Sequence, residues 1–338
     1  MAGGGDSDPS GAGEPVGSVS VLAAGRRGWG DRVYSVVLTG AMATVLLLVL
    51  AIGGALWWQS RPSIAAFGWR FATGSVWDEV EGTFGVRPFL FGTLYTSLLA
   101  LCLAVPISVA SAMHLVGLLP RWLRTPITFL IELLAAIPSV IYGLWGIFVL
   151  VPFLRDKVMG PLSQSPIPGR IPIVGTVLSG AGYGPSVLAA AVLLAIMAVP
   201  FITAVTRDVL LAVPAAQRDA ASGLGATRWE TFSKVVLPAA RPGIVGAVML
   251  GFGRAFGETM AVTMVIGNQT PSVPGGVSFA LFDPGATMAS ALANKFTEAT
   301  PGVHTAALIE IGLVLLVAGF LVNAAARLLV GAVARRTR

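Results

Sequence analysis

Long runs of apolar residues recur along this chain, each near the roughly 20 residues that cross a bilayer as a helix. None alternates apolar and polar residues as the strands of a membrane barrel do, and only helices satisfy their own backbone hydrogen bonds in lipid. The sequence therefore predicts an all-α integral membrane protein with six transmembrane helices. The predicted spans are 33–57, 91–118, 127–151, 185–205, 244–267 and 303–329.

The amino-acid composition also favours a membrane location. Hydrophobic residues make up 55% of the chain and charged residues 11%, whereas about 25% of a soluble domain is charged. The single cysteine, Cys102, lies inside an apolar run, so no disulfide within the chain is expected. The net charge of +6 comes from cations spread over short loops, without the aromatic-interleaved basic face typical of nucleic-acid binding. We therefore expect contact with a lipid bilayer and none with nucleic acid.

The apolar runs also divide the chain into regions. We predict a disordered cytoplasmic tail at 1–30, the first transmembrane helix with an external segment at 31–90, a core with the other five spans at 91–330, and a basic cytoplasmic tail at 331–338. Within the core, a polar loop is expected at 206–241. Loops on the opposite side are expected at 152–184 and 268–302.

Arginine and lysine are distributed unequally between the two sides of this topology. The side opposite the termini carries only Arg61, Arg70, Arg87, Arg155, Lys157, Arg170 and Lys295. The side of the termini carries Arg26, Arg27, Arg32, Arg121, Arg124, Arg207, Arg218, Arg228, Lys234, Arg241, Arg327, Arg335, Arg336 and Arg338. The positive-inside rule then predicts that both termini and the 206–241 loop face the cytoplasm.

The 206–241 loop contains an ordered helix-turn-helix pattern. Asp219 is expected to start a helix that Gly223 and Gly225 end. Thr227, with Glu230 three residues later, predicts the capping box of a second helix. Pro238 is expected to stop that helix. The pattern predicts two short amphipathic helices around a glycine turn; an ordinary loop would need no such order.

This pattern resembles the cytoplasmic loop of ABC-importer permeases, in which E-A-A is followed after three residues by Gly, then at a fixed spacing by Ile-x-Leu-Pro. The matching residues are Asp219, Ala220, Ala221, Gly225, Val235, Leu237 and Pro238, with Asp for Glu and Val for Ile. The resemblance implies a type I ABC-importer permease fold whose coupling helices, including Ala226, dock on a separate ATPase. No lysine of the chain stands in a P-loop Gly-Lys-Ser/Thr sequence. We therefore expect ATP and Mg to be bound by the partner ATPase, with no cofactor in this chain.

A charge also falls inside the fifth predicted span. Arg254 lies ten residues beyond Ile244, so about 15 Å into the membrane. Such a charge is costly and is expected to face a partner or a water-filled path. Glu258, four residues later on the same helical face, is expected to pair with it. The guanidinium then offers a forked donor to an oxyanion in transit; the alternative is a buried pair that only fixes helix register.

The run GRAFGETMAV around Arg254 narrows the resemblance, as does AIPSVIYG at 136–143. From about residue 30 onward the chain resembles the PstC-type permeases of bacterial phosphate ABC importers. That family implicates the arginine and glutamate corresponding to Arg254 and Glu258 in phosphate passage. It also implies a multi-pass protein of the bacterial plasma (inner) membrane, a homologous PstA-type permease, two PstB-type ATP-binding subunits and an external PstS-type phosphate-binding protein.

Other polar residues carry weaker expectations. Ser139, Tyr142 and Thr259 are candidates to line the substrate path, although such hydroxyls often bond a backbone carbonyl instead. Glu132 and Glu310 are expected to be structural. His114 and His304 have no ligands at metal spacing, so neither a metal site nor a catalytic residue is expected, and the chain is predicted not to be an enzyme.

The alternatives to a phosphate permease remain distinct in kind. The first is a permease for another oxyanion, sulfate or molybdate. The second is a stand-alone secondary transporter or channel in which Arg254 and Glu258 relay protons. The third is a membrane receptor that senses phosphate. The coupling pattern disfavours the second, and no sequence element specifies the third.

Overall fold

The computed structural model describes residues 29–164, 172–180, 182–270 and 276–336. Contacts divide the chain into two compact units, Met1–Ile52 and Gly53–Arg338. In the first unit, the described residues 29–52 are all helical. The predicted tail at 1–30 lies outside the described residues except for Trp29 and Gly30, which belong to the first helix.

Helices make up nearly all of the regular structure. In chain order they are α1 (Trp29–Phe67), α2 (Trp69–Thr73), α3 (Arg87–Met113), α4 (Arg121–Ala136), α5 (Ser139–Trp145), α6 (Val151–Leu154), α7 (Gly160–Ser163), α8 (Pro172–Val177), α9 (Val187–Leu211), α10 (Ala215–Gly223), α11 (Arg228–Glu230), α12 (Leu237–Phe256), α13 (Met260–Val265), α14 (Met288–Lys295) and α15 (Val303–Arg336). Strands β1 (Trp77–Asp78) and β2 (Thr83–Phe84) form a small antiparallel hairpin with Trp77 opposite Phe84.

Six helical runs within the described residues are long and apolar enough to cross a membrane, which confirms the predicted number. They are Trp29–Phe67, Arg87–Gly117, Ser139–Ser163, Val187–Leu211, Arg228–Phe256 and Val303–Arg335. The third run differs from the prediction of a span at 127–151. Residues 121–136 form the separate helix α4, and residues 152–163, predicted as loop, continue the helix that starts at Ser139.

Four π-helical turns interrupt the described helices: His114–Leu118, Gly146–Leu150, Arg155–Met159 and Thr231–Val236. Each turn ends two residues before a proline, at Pro120, Pro152, Pro161 and Pro238 respectively. A proline ring clashes with the carbonyl four residues earlier and cannot donate to it. For Pro152, Pro161 and Pro238 that carbonyl lies inside the wider π-turn, so the turn relieves the clash, whereas the chain leaves the helix at Leu119, with ψ of 137°, before Pro120. The prolines at 152 and 161 therefore do not make this segment a loop.

Helix α9 lies at the centre of the core. Ala189, Ala190, Leu193 and Ile202 on it are fully buried, and it packs against α3, α4 and α12. A Cβ added to Gly251 of α12 would lie 2.6 Å from the Ile202 side chain. Small residues thus let α9 and α12 approach closely, which is how helices associate when lipid removes the hydrophobic drive between them.

The segment between α1 and α3 is anchored by aromatic contacts and one ion pair. The Trp77 ring lies 4.8 Å from Phe84 and 5.2 Å from Phe89, and the Phe84 ring stacks on His304 at 5.0 Å. Lys295 Nζ donates to Glu79 Oε1 at 2.6 Å, joining the hairpin to the end of α14. This hydrogen bond is the main cause of a lowered Glu79 pKa, which partial burial of the carboxyl opposes.

Candidate substrate path and coupling surface

The fifth span is broken next to Arg254. Helix α12 ends at Phe256 and α13 begins at Met260, so Arg254 lies in the last turn of α12 and Glu258 lies in the break. The expected ion pair is therefore wrong: in the described part of the chain, the Arg254 guanidinium and the Glu258 carboxylate make no contact within 4.0 Å. The pairing required a continuous helix, because only there do residues four apart share a face.

A second break separates α4 from α5. Ile137 and Pro138 are extended, with ψ of 131° and 139°. The helices that follow the two breaks pack on each other: a Cβ added to Gly143 of α5 would lie 2.6 Å from Met264 Sδ and 3.2 Å from Ala261 Cα of α13. Non-helical backbone at membrane depth is tolerated where protein or a water-filled cavity surrounds it. Paired broken helices are also how many transporters build substrate sites.

Arg254 faces outward in this chain. Its side chain is exposed, and its Cζ lies 5.9 Å from the centre of the Phe201 ring. Arg254 and Glu258 line one small cavity together with Leu194 and Met197 of α9. The structure therefore brings both predicted residues to one cavity and leaves the arginine without a described carboxylate partner.

Tyr142 lies near this arginine, close enough for the positive charge to act on the phenol. Its hydroxyl donates to the Leu134 carbonyl at 2.8 Å. Leu134 belongs to the last turn of α4, and its carbonyl also accepts a longer hydrogen bond, 3.4 Å, from the Ile137 amide. Tyr142 therefore spans the break between α4 and α5.

The other two predicted path residues, Thr259 and Ser139, make only local hydrogen bonds or none within the described part of the chain. The Thr259 hydroxyl donates to the Gly257 carbonyl at 3.4 Å, inside the break, and the Thr259 carbonyl accepts from the Thr263 hydroxyl at 2.7 Å. The Ser139 hydroxyl, at the start of α5, makes no hydrogen bond to any described residue. Neither side chain bonds Arg254, so their lining of the path stays a prediction.

The helix-turn-helix pattern between Asp219 and Pro238 folds largely as its local sequence signals indicate. Gly225 has φ +85°, the left-handed conformation that favours glycine. Thr227 and Glu230 form the predicted capping box. The helix before the turn begins at Ala215, so Asp219 lies inside α10 and the prediction that it starts the helix is wrong. Pro214 precedes Ala215 and has the extended ψ of 135° that a helix start needs.

Pro238 does not stop the second helix, contrary to the prediction. Leu237 and Pro238 occupy the first turn of α12 within one continuous helical run, Arg228–Phe256. The π-turn at Thr231–Val236 accommodates the proline. One run of 29 residues therefore connects the capping box to Arg254.

The surface around the glycine turn is open. Asp219, Ala220 and Ala226 are exposed or half-buried, while Ala221 is buried against the chain. Ala221, Gly225 and Ala226 line a groove of about 380 Å³. The sequence analysis did not include Leu224, whose side chain is 90% exposed beside this groove. An apolar residue in a polar loop is the sequence signal that could have identified it.

Two acidic residues outside the path, Glu132 and Glu310, differ in their hydrogen-bond partners. Glu132 of α4 receives a hydrogen bond from Arg207 Nη1 of α9 at 3.1 Å, and Arg207 also contacts Asp208 at 2.8 Å. The structural role predicted for Glu132 agrees with this bridge. Glu310 is 7% exposed on α15, and its Oε2 has no hydrogen-bond partner among the described residues.

Comparison with known proteins identifies the chain's family. The family of binding-protein-dependent transport system inner membrane components matches residues 104–338. The chain belongs to this family. It is thus a multi-pass permease of the inner membrane that acts with other components of an ABC transporter.

Curated relatives of this permease match nearly its whole length. The phosphate transport system permease protein PstC of Mesorhizobium japonicum is 42% identical over 91% of this chain and 92% of its own. That of Pasteurella multocida is 44% identical over 85% and 87%, and PstC 2 of Mycobacterium tuberculosis is 37% identical over 89% and 92%.

The permease also resembles solved transporters. The crystal structure of a bacterial alginate ABC transporter with its alginate pentasaccharide-bound periplasmic protein gives a TM-score of 0.56, covering 89% of this chain and 96% of that chain at 14% identity. This likeness concerns the fold, which is that of a type I ABC-importer permease.

Proposed function

We propose that this chain is the PstC-type permease subunit of an ATP-driven importer of inorganic phosphate and forms half of the translocation path. The relatives named as phosphate permeases support the substrate, since they match at 37–44% identity over most of both chains. The broken helices beside Arg254 support a path through the protein at this level of the membrane.

The unneutralised Arg254 is the observation that carries the phosphate assignment. A cation inside a span costs at least about 2.5–3.5 kcal/mol unless a partner or water compensates it. No described carboxylate contacts the Arg254 guanidinium. A phosphate oxyanion would supply the missing negative charge, and the planar fork of arginine matches two of its oxygens.

Glu258 has a complementary role in this proposal. Its carboxylate lines the same cavity as Arg254 without pairing to it. A nearby negative charge weakens the hold of the arginine on an anion. Passage requires binding that is favourable enough to admit an ion and weak enough to release it, and Glu258 would set that balance.

The coupling surface would connect this site to ATP. We infer that α10 and the groove beside Gly225 dock on a PstB-type ATPase, two copies of which bind the ATP and Mg. Movement of α10 would pass through the 29-residue run Arg228–Phe256 directly to Arg254. A PstA-type permease would complete the path, an external PstS-type protein would deliver phosphate, and both termini would face the cytoplasm.

Uptake of labelled anions into vesicles containing the reconstituted complex tests this function. We expect ATP-dependent uptake of phosphate and little uptake of sulfate or molybdate. Robust sulfate uptake without phosphate uptake would overturn the substrate. Phosphate uptake that continues without the ATPase subunits would instead establish a secondary transporter.

A further inference from the structure

A second cavity, of about 400 Å³, lies away from Arg254 between the end of α3, helix α10 and the π-turn Thr231–Val236. Its walls come from the last turns of one candidate span, Arg87–Gly117, and the first turns of another, Arg228–Phe256. The cavity is therefore at the level where spans leave the membrane. On the proposed orientation, that is the headgroup region of the cytoplasmic leaflet.

The lining of this cavity is cationic on one side. Arg218 of α10 and Arg228 of α11 line it, as does His114, and no carboxylate of a described residue does. The Arg228 guanidinium makes no hydrogen bond or ion pair to any described residue. The Nε of Arg218 is buried without a partner, although its Nη2 donates to the Leu210 carbonyl. Two arginines thus bring positive charge that no acidic residue in the described part of the chain neutralises.

A buried hydroxyl at the same cavity also lacks a partner. Thr231 is only 9% exposed, and its Oγ1 makes no hydrogen bond among the described residues. Leaving a buried donor unpaired destabilises the folded chain. The Thr231 hydroxyl therefore points, independently of the charges, to a hydrogen-bonding ligand.

The acidic residues nearby are unavailable to these groups. Glu230 is held by the Thr227 cap and by Lys234 Nζ at 3.1 Å. Glu132 and Asp208 both contact Arg207. Asp219 is exposed and does not line the cavity. Among the described residues, then, no acidic side chain is left to neutralise Arg218 and Arg228.

The rest of the lining is apolar. Val116 and Val236 belong to a buried cluster against which Met113 packs, and the Phe232 ring lies against Gly117, where a Cβ would be 3.0 Å away. Trp229 lines the opening and is 64% exposed. A free phosphate ion would leave these apolar walls unused, and tryptophan beside arginine is typical of the membrane interface.

We propose that this cavity binds the phosphate of an anionic phospholipid from the cytoplasmic leaflet, with Arg218, Arg228 and Thr231 on the phosphate and an acyl chain along Met113 and Phe232. Basic pockets between transmembrane helices on the cytoplasmic side bind such headgroups in other proteins. Because α10 is also the proposed ATPase-docking helix, a bound lipid would brace it against the membrane. The inference rests on the orientation given with the proposed function.

Native mass spectrometry of the purified complex, titrated with phosphatidylglycerol or phosphatidylcholine, tests this site. We expect one tight phosphatidylglycerol. Its affinity should fall about fivefold in Arg228→Gln, since each arginine near an anionic surface contributes roughly that factor. The fall should be larger in the Arg218→Gln/Arg228→Gln double variant. Arg228→Lys, which keeps the charge, and Arg241→Gln, which removes an exposed charge outside the cavity, should bind as wild type.

Three outcomes would overturn the proposal. The first is equal affinity in Arg228→Gln and wild type. The second is displacement of the lipid by millimolar inorganic phosphate, which would make the site one for the free anion. The third is lipid binding only after the ATPase subunits are removed, which would assign the arginines to that partner. None of these measurements involves transport, so they separate a failed lipid site from a failed phosphate function.

Discussion

The Tyr142 hydroxyl donates a 2.8 Å hydrogen bond to the Leu134 carbonyl, across the break between α4 and α5. The bond fixes how the two helix ends meet beside Arg254. The same carbonyl otherwise accepts only a longer bond, 3.4 Å, from the Ile137 amide at the end of α4.

Replacing Tyr142 by Phe should lower the free energy of unfolding by about 1 kcal/mol, the usual net value of one hydrogen bond. Phosphate uptake should fall as well, because the path loses its fixed geometry. Tyr95→Phe is the matched control, since Tyr95 also donates to a carbonyl, that of Phe279 at 2.9 Å, away from the break. Equal uptake by both variants would mean that the break does not depend on Tyr142.

Replacing Arg254 by Gln should reduce ATP-dependent phosphate uptake by about tenfold or more, because a charge-assisted hydrogen bond contributes about 1.5–3 kcal/mol. Uptake into vesicles and complex yield are measured together. Arg241→Gln, on the same helix α12, is the control for loss of charge alone. An intact Arg254→Gln complex with near-normal uptake would remove Arg254 from the path.

Gly225 offers a test of the coupling surface. Its φ of +85° makes any side chain there strained, although no atom lies within 4 Å of an added Cβ. Gly225→Ala should cost about 1 kcal/mol in the turn and lower ATPase recovery in pull-down, whereas Gly225→Asn, which tolerates this conformation, should lose less. Gly225→Arg should lose most. Gly223→Ala, also in open space but without a positive φ, is the control and should leave ATPase recovery unchanged. Undiminished ATPase recovery with Gly225→Arg would contradict the docking assignment.

The Glu79–Lys295 pair predicts a pH dependence of the hairpin. The Glu79 pKa lies below its ordinary value of 4.5 in the folded chain. The pair therefore stabilises the fold above pH 4.5, and this contribution is lost as pH falls through the lower folded pKa. Because both groups are partly exposed, we expect about 0.5–1 kcal/mol. Hydrogen exchange of residues 77–84 between pH 7 and acidic pH measures this stabilisation. Glu79→Gln should abolish its pH dependence. Identical pH profiles of the wild type and Glu79→Gln would refute the prediction.

Local signals predicted much of this structure. The lengths of the apolar runs gave six spans, and Thr227 with Glu230 gave a helix start, because both depend on neighbouring residues alone. Local sequence signals did not predict where the helices break. Pro106 and Pro200 lie inside continuous helices, whereas Pro138 lies at a break and the break at 257–259 contains no proline. Contact between distant segments, such as Gly143 of α5 against Met264 of α13, distinguishes these cases.

The pairing of Arg254 with Glu258 failed for the same reason. Spacing of four residues implies a shared face only if the helix continues, and the sequence does not reveal that it ends at Phe256. The sequence places the charge of Arg254 inside a span, but it does not show that no described carboxylate contacts the guanidinium. The unpartnered Thr231 hydroxyl and the exposed Leu224 likewise depend on which surfaces the folded chain leaves open.

The π-turns that precede Pro152 and Pro161 also set the direction in which side chains point. A π-turn holds an extra residue, and one residue corresponds to about 100° of rotation around an α-helix. The two turns in the run Ser139–Ser163 therefore rotate the faces of its successive thirds relative to one another. Loss of either widened turn would therefore aim the side chains downstream of it in that span at different neighbours.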